Sequence, residues 1–224
     1  ILHILYGRVA FDHMNIITIK QNENDNYTMR CYGCVHKCAY ASIRSTKCDE
    51  CSGAEFYIWP ENNSFLIEGI LQYFADINSK IISQPIVVID FNYKNINYFL
   101  SNNWLAQFRN SRLILITDKK MAAIAHYWFY NDTADTIIST VIFHDDLAED
   151  IKMKISQSFM GKIIRPSEKR AKLSANEYAL FSELYKGQLP KKIAMKNATN
   201  VKNIYAMKIR IETKLGVPIS RLAS

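Results

Sequence analysis

From residue 56 onward the chain alternates two kinds of apolar pattern. Short, near-continuous runs rich in β-branched residues fall at 56–59, 86–90, 113–117 and 137–143, and they predict strands buried on both faces. Between and after them, residues 64–77, 95–108, 120–130 and 145–160 are read as helices. Strands alternating with helices imply a parallel sheet covered on both sides. Near residue 166 the pattern turns wholly helical. Ser174-Ala175-Asn176-Glu177 is a capping box, in which serine and glutamate satisfy each other's free amides at a helix start. Leu173, Tyr178, Leu180, Phe181 and Leu184 supply that helix's apolar positions, and Gly187 its stop. Pro190 opens a short second helix over 190–197, which must pack Ile193 and Ala194 on its neighbours. Asn200 caps a third over 201–215, closed by Gly216 and Pro218.

The third helix is two-faced. Ile204, Met207, Ile211 and Leu215 share the stripe expected to be buried. Lys202, Tyr205, Ala206, Ile209 and Thr213 share the opposite face, with Lys208 and Arg210 at its flanks. A helix of this width and charge, held by two others, is what the major groove of duplex DNA admits. The candidate DNA-binding residues are Lys191, Lys192, Asn200, Lys202, Asn203, Tyr205, Ala206, Lys208, Ile209 and Arg210.

Charge points to the same end. Residues 166–224 hold twelve lysines and arginines against four acids, a balance of +8 in a chain of +7, so residues 1–165 carry −1. The basic character belongs to the three helices, where phosphate attraction would supply a salt-sensitive share of affinity.

Leu173, Ser174, Glu177, Gly187, Ile193, Ala194, Lys214, Leu215, Gly216 and Val217 resemble the pattern of the LuxR/NarL-type helix-turn-helix. That resemblance implies sequence-specific binding to double-stranded DNA, commonly as a homodimer. Three positions depart from it: Lys192 stands where the family usually has Glu, Tyr205 where it has Lys, and Met207 where it has His. Base preference therefore does not carry over. The alternating segment looks like a response-regulator receiver domain, a known partner of this helix-turn-helix. The fold class expected is an α/β receiver-like domain with a parallel sheet at 55–165, then an all-α LuxR-type domain at 166–224, behind a small cysteine-rich segment at 1–54.

A phosphorylatable receiver needs an acidic pair for a divalent metal, an Asp acceptor, a hydroxyl and a Lys at strand ends. Aligned here, the acidic pair falls at Pro60-Glu61, the acceptor at Asp90, the hydroxyl at Thr117 and the Lys near Ser139-Thr140. One metal carboxylate and the Lys are missing. Residues 78–83 are also too few for a receiver's second strand and helix. The expectation is a pseudo-receiver that does not depend on phosphorylation, with Asp90 as a disfavoured phospho-acceptor that otherwise ends its strand and caps the next turn.

Tyr57-Ile58-Trp59, Asn103-Trp104-Leu105, the string from Ala123 to Asn131 and Gln188 to Ala194 are similar to the small LuxR-type regulators of enterobacterial common pilus (Mat fimbria) operons, over about residues 55–224. The resemblance implies control of fimbrial or other surface-adhesion genes. His126 and the aromatic residues after it are read as helix core.

All five cysteines lie before residue 55. Cys31-x-x-Cys34 and Cys48-x-x-Cys51 are two knuckles that can place four thiolates around a structural zinc. Cys38 is spare, so a redox sensor or an unliganded leader stays open. Disulfides are disfavoured by the reducing cytoplasm expected of a nucleoid-associated regulator.

No Gly-rich phosphate loop or nucleophile elbow occurs, and Asp145-Asp146 and Glu149-Asp150 read as acids at a helix start, so an enzyme is not expected. The most apolar stretch, 113–130, is broken by Asp118-Lys119-Lys120, which excludes a bilayer span there. No secretory leader is recognised, and Met14 is read as the translation start. The alternatives to a homodimeric regulator are phosphorylation-dependent control at Asp90 and a protein acting by heterodimerising with another LuxR-type regulator.

Overall fold

The computed structural model describes residues 29–32, 39–40, 56–75, 84–101, 103–131 and 136–222. Strands β1 (Met29–Arg30) and β2 (Ala39–Tyr40) form a small antiparallel pair. The alternating segment follows as β3 (Phe56–Trp59), α1 (Ser64–Ala75), β4 (Ile86–Phe91), α2 (Ile96–Phe99), β5 (Ser111–Thr117), α3 (Ala122–Phe129), β6 (Thr136–Phe143) and α4 (Ala148–Phe159). The all-helical end consists of α5 (Ala175–Tyr185), α6 (Pro190–Lys196) and α7 (Val201–Leu215).

Strands β3 to β6 lie side by side in chain order, all parallel. Alternate residues divide between two apolar layers, as strand geometry requires. Phe56, Ile58, Ile86, Val88, Ile114 and Ile142 pack with Ile70 of α1 and with Ile155 and Phe159 of α4. Tyr57, Trp59, Val87, Ile89, Phe91, Leu113 and Leu115 face the other way, towards α2, α3 and the helical end. β6 keeps to this scheme only through a bulge. Ile138 pairs with Leu113 but Thr140 pairs with Ile114, so Ser139 is the extra residue. The added residue flips the alternation, and Ile138, Val141 and Phe143 all reach the same layer.

Three expectations change. The single helix over 95–108 is broken into a 3-10 turn at Tyr93–Asn95, the short α2, and a second 3-10 turn at Trp104–Phe108. At the break the Ser101 hydroxyl accepts from the Asn103 amide, offering the backbone a local alternative to the helical ladder. Secondly, Asp145 and Asp146 precede α4 instead of opening it, and Glu149 and Asp150 occupy its first turn. Asp146 accepts from the Phe143 amide and from Lys154, while Arg170 reaches both aspartates. Thirdly, the place opposite Thr117 on β6 is Phe143, not Ser139-Thr140, because the bulge and the longer strand move the alignment. No lysine stands at either place.

Residues 29–32 cover the outer edge of β3. Cys31 forms an antiparallel bridge to Tyr57, and the Tyr32 amide donates to the Phe56 carbonyl at 2.9 Å. Cys31 is buried in the apolar cluster with Tyr57 and Trp59. Cys34, Cys38, Cys48 and Cys51 lie outside the described residues.

The helical end does not stand apart from the sheet. Its core residues Leu173, Tyr178, Phe181, Ile193, Ile204, Ile211 and Leu215 belong to the same apolar cluster as the α2–α3 side of the sheet. Tyr178 stacks on Tyr127 with ring centroids 4.5 Å apart and meets Trp128 edge-on. Its hydroxyl donates to the Phe99 carbonyl at 2.5 Å, and the Ser182 hydroxyl donates to the next carbonyl, Leu100. Burial pushes the Tyr178 phenol far up, so it remains a donor.

Candidate nucleic-acid interface

The three helices are set by local chemistry. Ser174 accepts from the Glu177 amide while Glu177 accepts from the Ser174 amide, completing the capping box that starts α5. Gly187, left-handed at φ 78°, turns the chain towards Pro190 at the first turn of α6. Ala198 takes the left-handed position before α7 at φ 47°, and the Asn200 side chain caps the Lys202 amide at 2.8 Å. Gly216 at φ 70° ends α7.

α7 buries Ile204, Ile211 and Leu215, and Met207 is partly buried against the same core. Lys202, Asn203, Tyr205, Ala206, Ile209, Arg210 and Thr213 are all exposed. Lys191 and Lys192 are exposed at the start of α6. Two of the residues expected to touch DNA have other work. The Asn200 oxygen is used by the cap, and Lys208 sits half-buried 3.8 Å from Glu212 of its own helix.

The acids of α5 and α7 are turned inward or paired. Glu177 holds Lys214 at 2.6 Å, Glu183 holds Lys196, and Glu212 accepts from the Ile219 amide as well as facing Lys208. Burial raises the Glu177 carboxyl, but Lys214 and the Ser174 amide outweigh it and hold it below the usual range. Among the described residues, Lys191, Lys192, Lys202 and Arg210 have no acid partner. The outward faces of α6 and α7 therefore carry unneutralised positive charge, the arrangement that attracts a polyanion.

The receiver-like acceptor position has a different character. Asp90 is buried within β4 and does not cap the following turn; Asn92 does that, accepting from the Lys94 and Asn95 amides. Around the Asp90 carboxylate the donors are amides. Asn63 donates to Oδ2 at 3.1 Å and Asn95 to the same oxygen at 3.3 Å, while Asn62 steadies Asn95 at 2.8 Å. Burial pushes the Asp90 carboxyl above the ordinary aspartate range, against the pull of Asn63, Asn92 and Asn95. The Thr117 hydroxyl is committed to the Asp118 carbonyl at 3.1 Å. Asp118 itself accepts from the Tyr93 and Met121 amides. Among the described residues, no group of three or more His, Cys, Asp or Glu is placed to hold a metal.

The family model of the EcpR N-terminal domain matches residues 30–159. The chain belongs to this family. The match spans the sheet with its helices and reaches back into the cysteine-rich segment, earlier than the aromatic strings that begin near residue 56. Among curated proteins, this EcpR-type chain is similar to the uncharacterized protein YqeH of Escherichia coli K12, at 26% identity over 197 residues, covering 87% of this chain and 92% of that one. Among solved structures it is similar to RcsB solved as two dimers bound to two parallel DNAs, at 17% identity and a TM-score of 0.43, covering 72% of this chain and 91% of that one. RcsB of Salmonella typhimurium is matched at 17% identity and a TM-score of 0.33, with 72% and 93% covered.

Neither the amide cage around Asp90 nor the Tyr178 seam belongs to the sequence-predicted set. Asn63, Asn92 and Asn95 come from two loops that meet only once β3 and β4 pair. Tyr178 reads in the sequence as ordinary helix core. No helix among the described residues is long and apolar enough to cross a membrane.

Proposed function

We propose that this EcpR-family chain is a DNA-binding transcriptional regulator that reads duplex DNA through α7, positioned by α5 and α6. The observation that carries the reading is the outer face on which, among the described residues, Lys191, Lys192, Lys202 and Arg210 have no acid partner while every glutamate of α5 and α7 is engaged elsewhere. The resemblance to common-pilus regulators supports fimbrial or other surface-adhesion genes as targets. Regulators with a single short reading helix gain useful specificity by pairing, so the active form is proposed to be a homodimer on adjacent half-sites.

Phosphorylation is not part of this proposal. A carboxylate enclosed by three asparagine side chains and pushed towards its neutral form is a poor nucleophile, and the residues around it supply neither a second metal carboxylate nor a strand-end lysine. For the cysteine-rich segment the proposal is structural zinc on Cys31, Cys34, Cys48 and Cys51, and the burial of Cys31 among apolar residues including Tyr57 and Trp59 counts against that sulfur as a ligand. Metal analysis of protein purified without chelator tests it, and zinc far below one equivalent removes it.

The principal experiment is genome-wide DNA occupancy in the native bacterium, paired with duplex binding over a salt series. Enrichment upstream of adhesion genes, with affinity falling steeply as salt rises, is the expected result. An unbound genome together with no salt-sensitive binding to any duplex defeats the reading.

A further inference from the structure

Within the proposed DNA-reading face, the outermost line of α7 is methyl-rich and poor in free hydrogen-bonding groups. At helical spacing Ala206, Ile209 and Thr213 follow Lys202 along the side opposite buried Ile204 and Ile211. Ile209 is 63% exposed, and Tyr205 beside it is 51% exposed. The Thr213 hydroxyl is turned back onto the Ile209 carbonyl at 2.9 Å, which leaves the methyl as the part of that side chain not bonded to the helix.

The Asn200 amide, which could otherwise read adenine, is already engaged. The Asn200 oxygen caps the helix, while Asn203 gives one N–H to the Thr199 hydroxyl at 3.4 Å and keeps its oxygen and second N–H. A bidentate asparagine contact to adenine needs both halves of the amide free. Cations flank the methyl line: Lys202 precedes it and Arg210 lies to one side, with no acid partner for either among the described residues. Such a line, bordered by phosphate-attracting charge, matches the one apolar group that the major groove displays, the C5 methyl of thymine.

We infer that α7 recognises its operator through thymine methyl groups, packed against Ala206 and Ile209, with Lys202 and Arg210 fixing the register on the backbone. This rests on the DNA-binding reading above and names the base chemistry that reading takes. The contribution is by contact and exclusion of water, so each methyl is worth the burial of one small apolar group.

The test uses the full chain and random-sequence duplex pools carrying dT or dU, the latter lacking the C5 methyl. Selection from the dT pool is expected to return duplexes with thymines at fixed positions. Replacing those thymines by dU is expected to weaken binding roughly fourfold per methyl. Ile209→Ala is expected to shrink that penalty at the thymine facing residue 209 and to leave it in place at the thymine facing Ala206. Ile209 is exposed, so the variant keeps its fold. A selected set without fixed thymines, or equal affinity for the dT and dU forms, overturns methyl reading and leaves DNA binding intact. Retention of neither pool at low salt instead removes the DNA-binding reading itself.

Discussion

The Tyr178 hydroxyl donates to the Phe99 carbonyl across 79 positions of sequence, and this bond ties the first helix of the all-helical end to the helix that follows the Asp90 loop. Asn95, which bonds Asp90, immediately precedes α2, and α2 ends at Phe99. Asp90 and the all-helical end are thus connected by one short run of packed and hydrogen-bonded residues.

Tyr178→Phe removes the hydroxyl and leaves the Phe99 carbonyl short of a partner. The expected loss is about 1–3 kcal/mol of unfolding free energy, measured by chemical denaturation. Tyr178→Ala also opens a cavity against Tyr127 and Trp128 and is expected to cost about 3–5 kcal/mol. A Tyr178→Phe protein as stable as the wild type would mean that the bond contributes nothing to the seam.

Asp90→Asn is expected to raise the melting temperature at neutral pH. The folded-state carboxyl titrates above its ordinary range, so its favourable contribution is present at low pH and is lost as pH rises through that raised value. The gap between variant and wild type should therefore close on acidification below about pH 4. A variant less stable than wild type at pH 7 would contradict the cage as described.

Glu177→Gln works in the opposite direction. Its carboxyl is held low by Lys214 and the Ser174 amide, against burial, so the ion pair stabilises above the ordinary glutamate range and fades as pH falls through the lowered value. The variant is expected to melt lower at pH 7 and to converge on wild type in acid, as differential scanning calorimetry would record.

At the proposed DNA-reading face, Arg210→Ala is expected to reduce the slope of log affinity against log salt by about one. Lys208→Ala should change it less, because Lys208 is half-buried beside Glu212. Fluorescence anisotropy over a salt series separates the two, and a larger effect at Lys208 would reassign the flank that meets phosphate.

His126 is fully buried, with Nδ1 facing the Ala171 carbonyl at 3.2 Å and Nε2 without a partner among the described residues. Burial lowers its pKa, and neighbouring Lys172 and Arg170 add to the effect. Stability from the neutral ring is present above the ordinary histidine range and is lost as pH falls below about 6.5. Protection factors at the start of α5, with the intrinsic fall of exchange rate with pH divided out, are expected to drop from pH 7 to pH 5.5 in the wild type but not in His126→Phe.

The helical end was legible because each boundary carries its own local signal: the Ser174–Glu177 box, Pro190 in a first turn, Asn200 as a cap and Gly216 at a left-handed terminus. The sheet was legible from its apolar runs. What escaped depends on contacts between distant segments. The Ser139 bulge is hidden inside an unbroken apolar run, since a strand buried on both faces shows no alternation to interrupt. The asparagine cage needs β3 and β4 in register before Asn63 meets Asp90. The break at Ser101 turns on one side-chain bond that competes with the helix.

The short stretch 29–32 along β3 has a practical consequence. A four-residue edge reading Phe-Tyr-Ile-Trp is a template for pairing with any passing strand, and Cys31 and Tyr32 occupy it. A protein cut at residue 55, where the aromatic strings begin, would keep every helix and strand of the sheet yet lose its plug. Such a fragment is expected to self-associate in solution, whereas one beginning ahead of Met29 would retain a sealed edge.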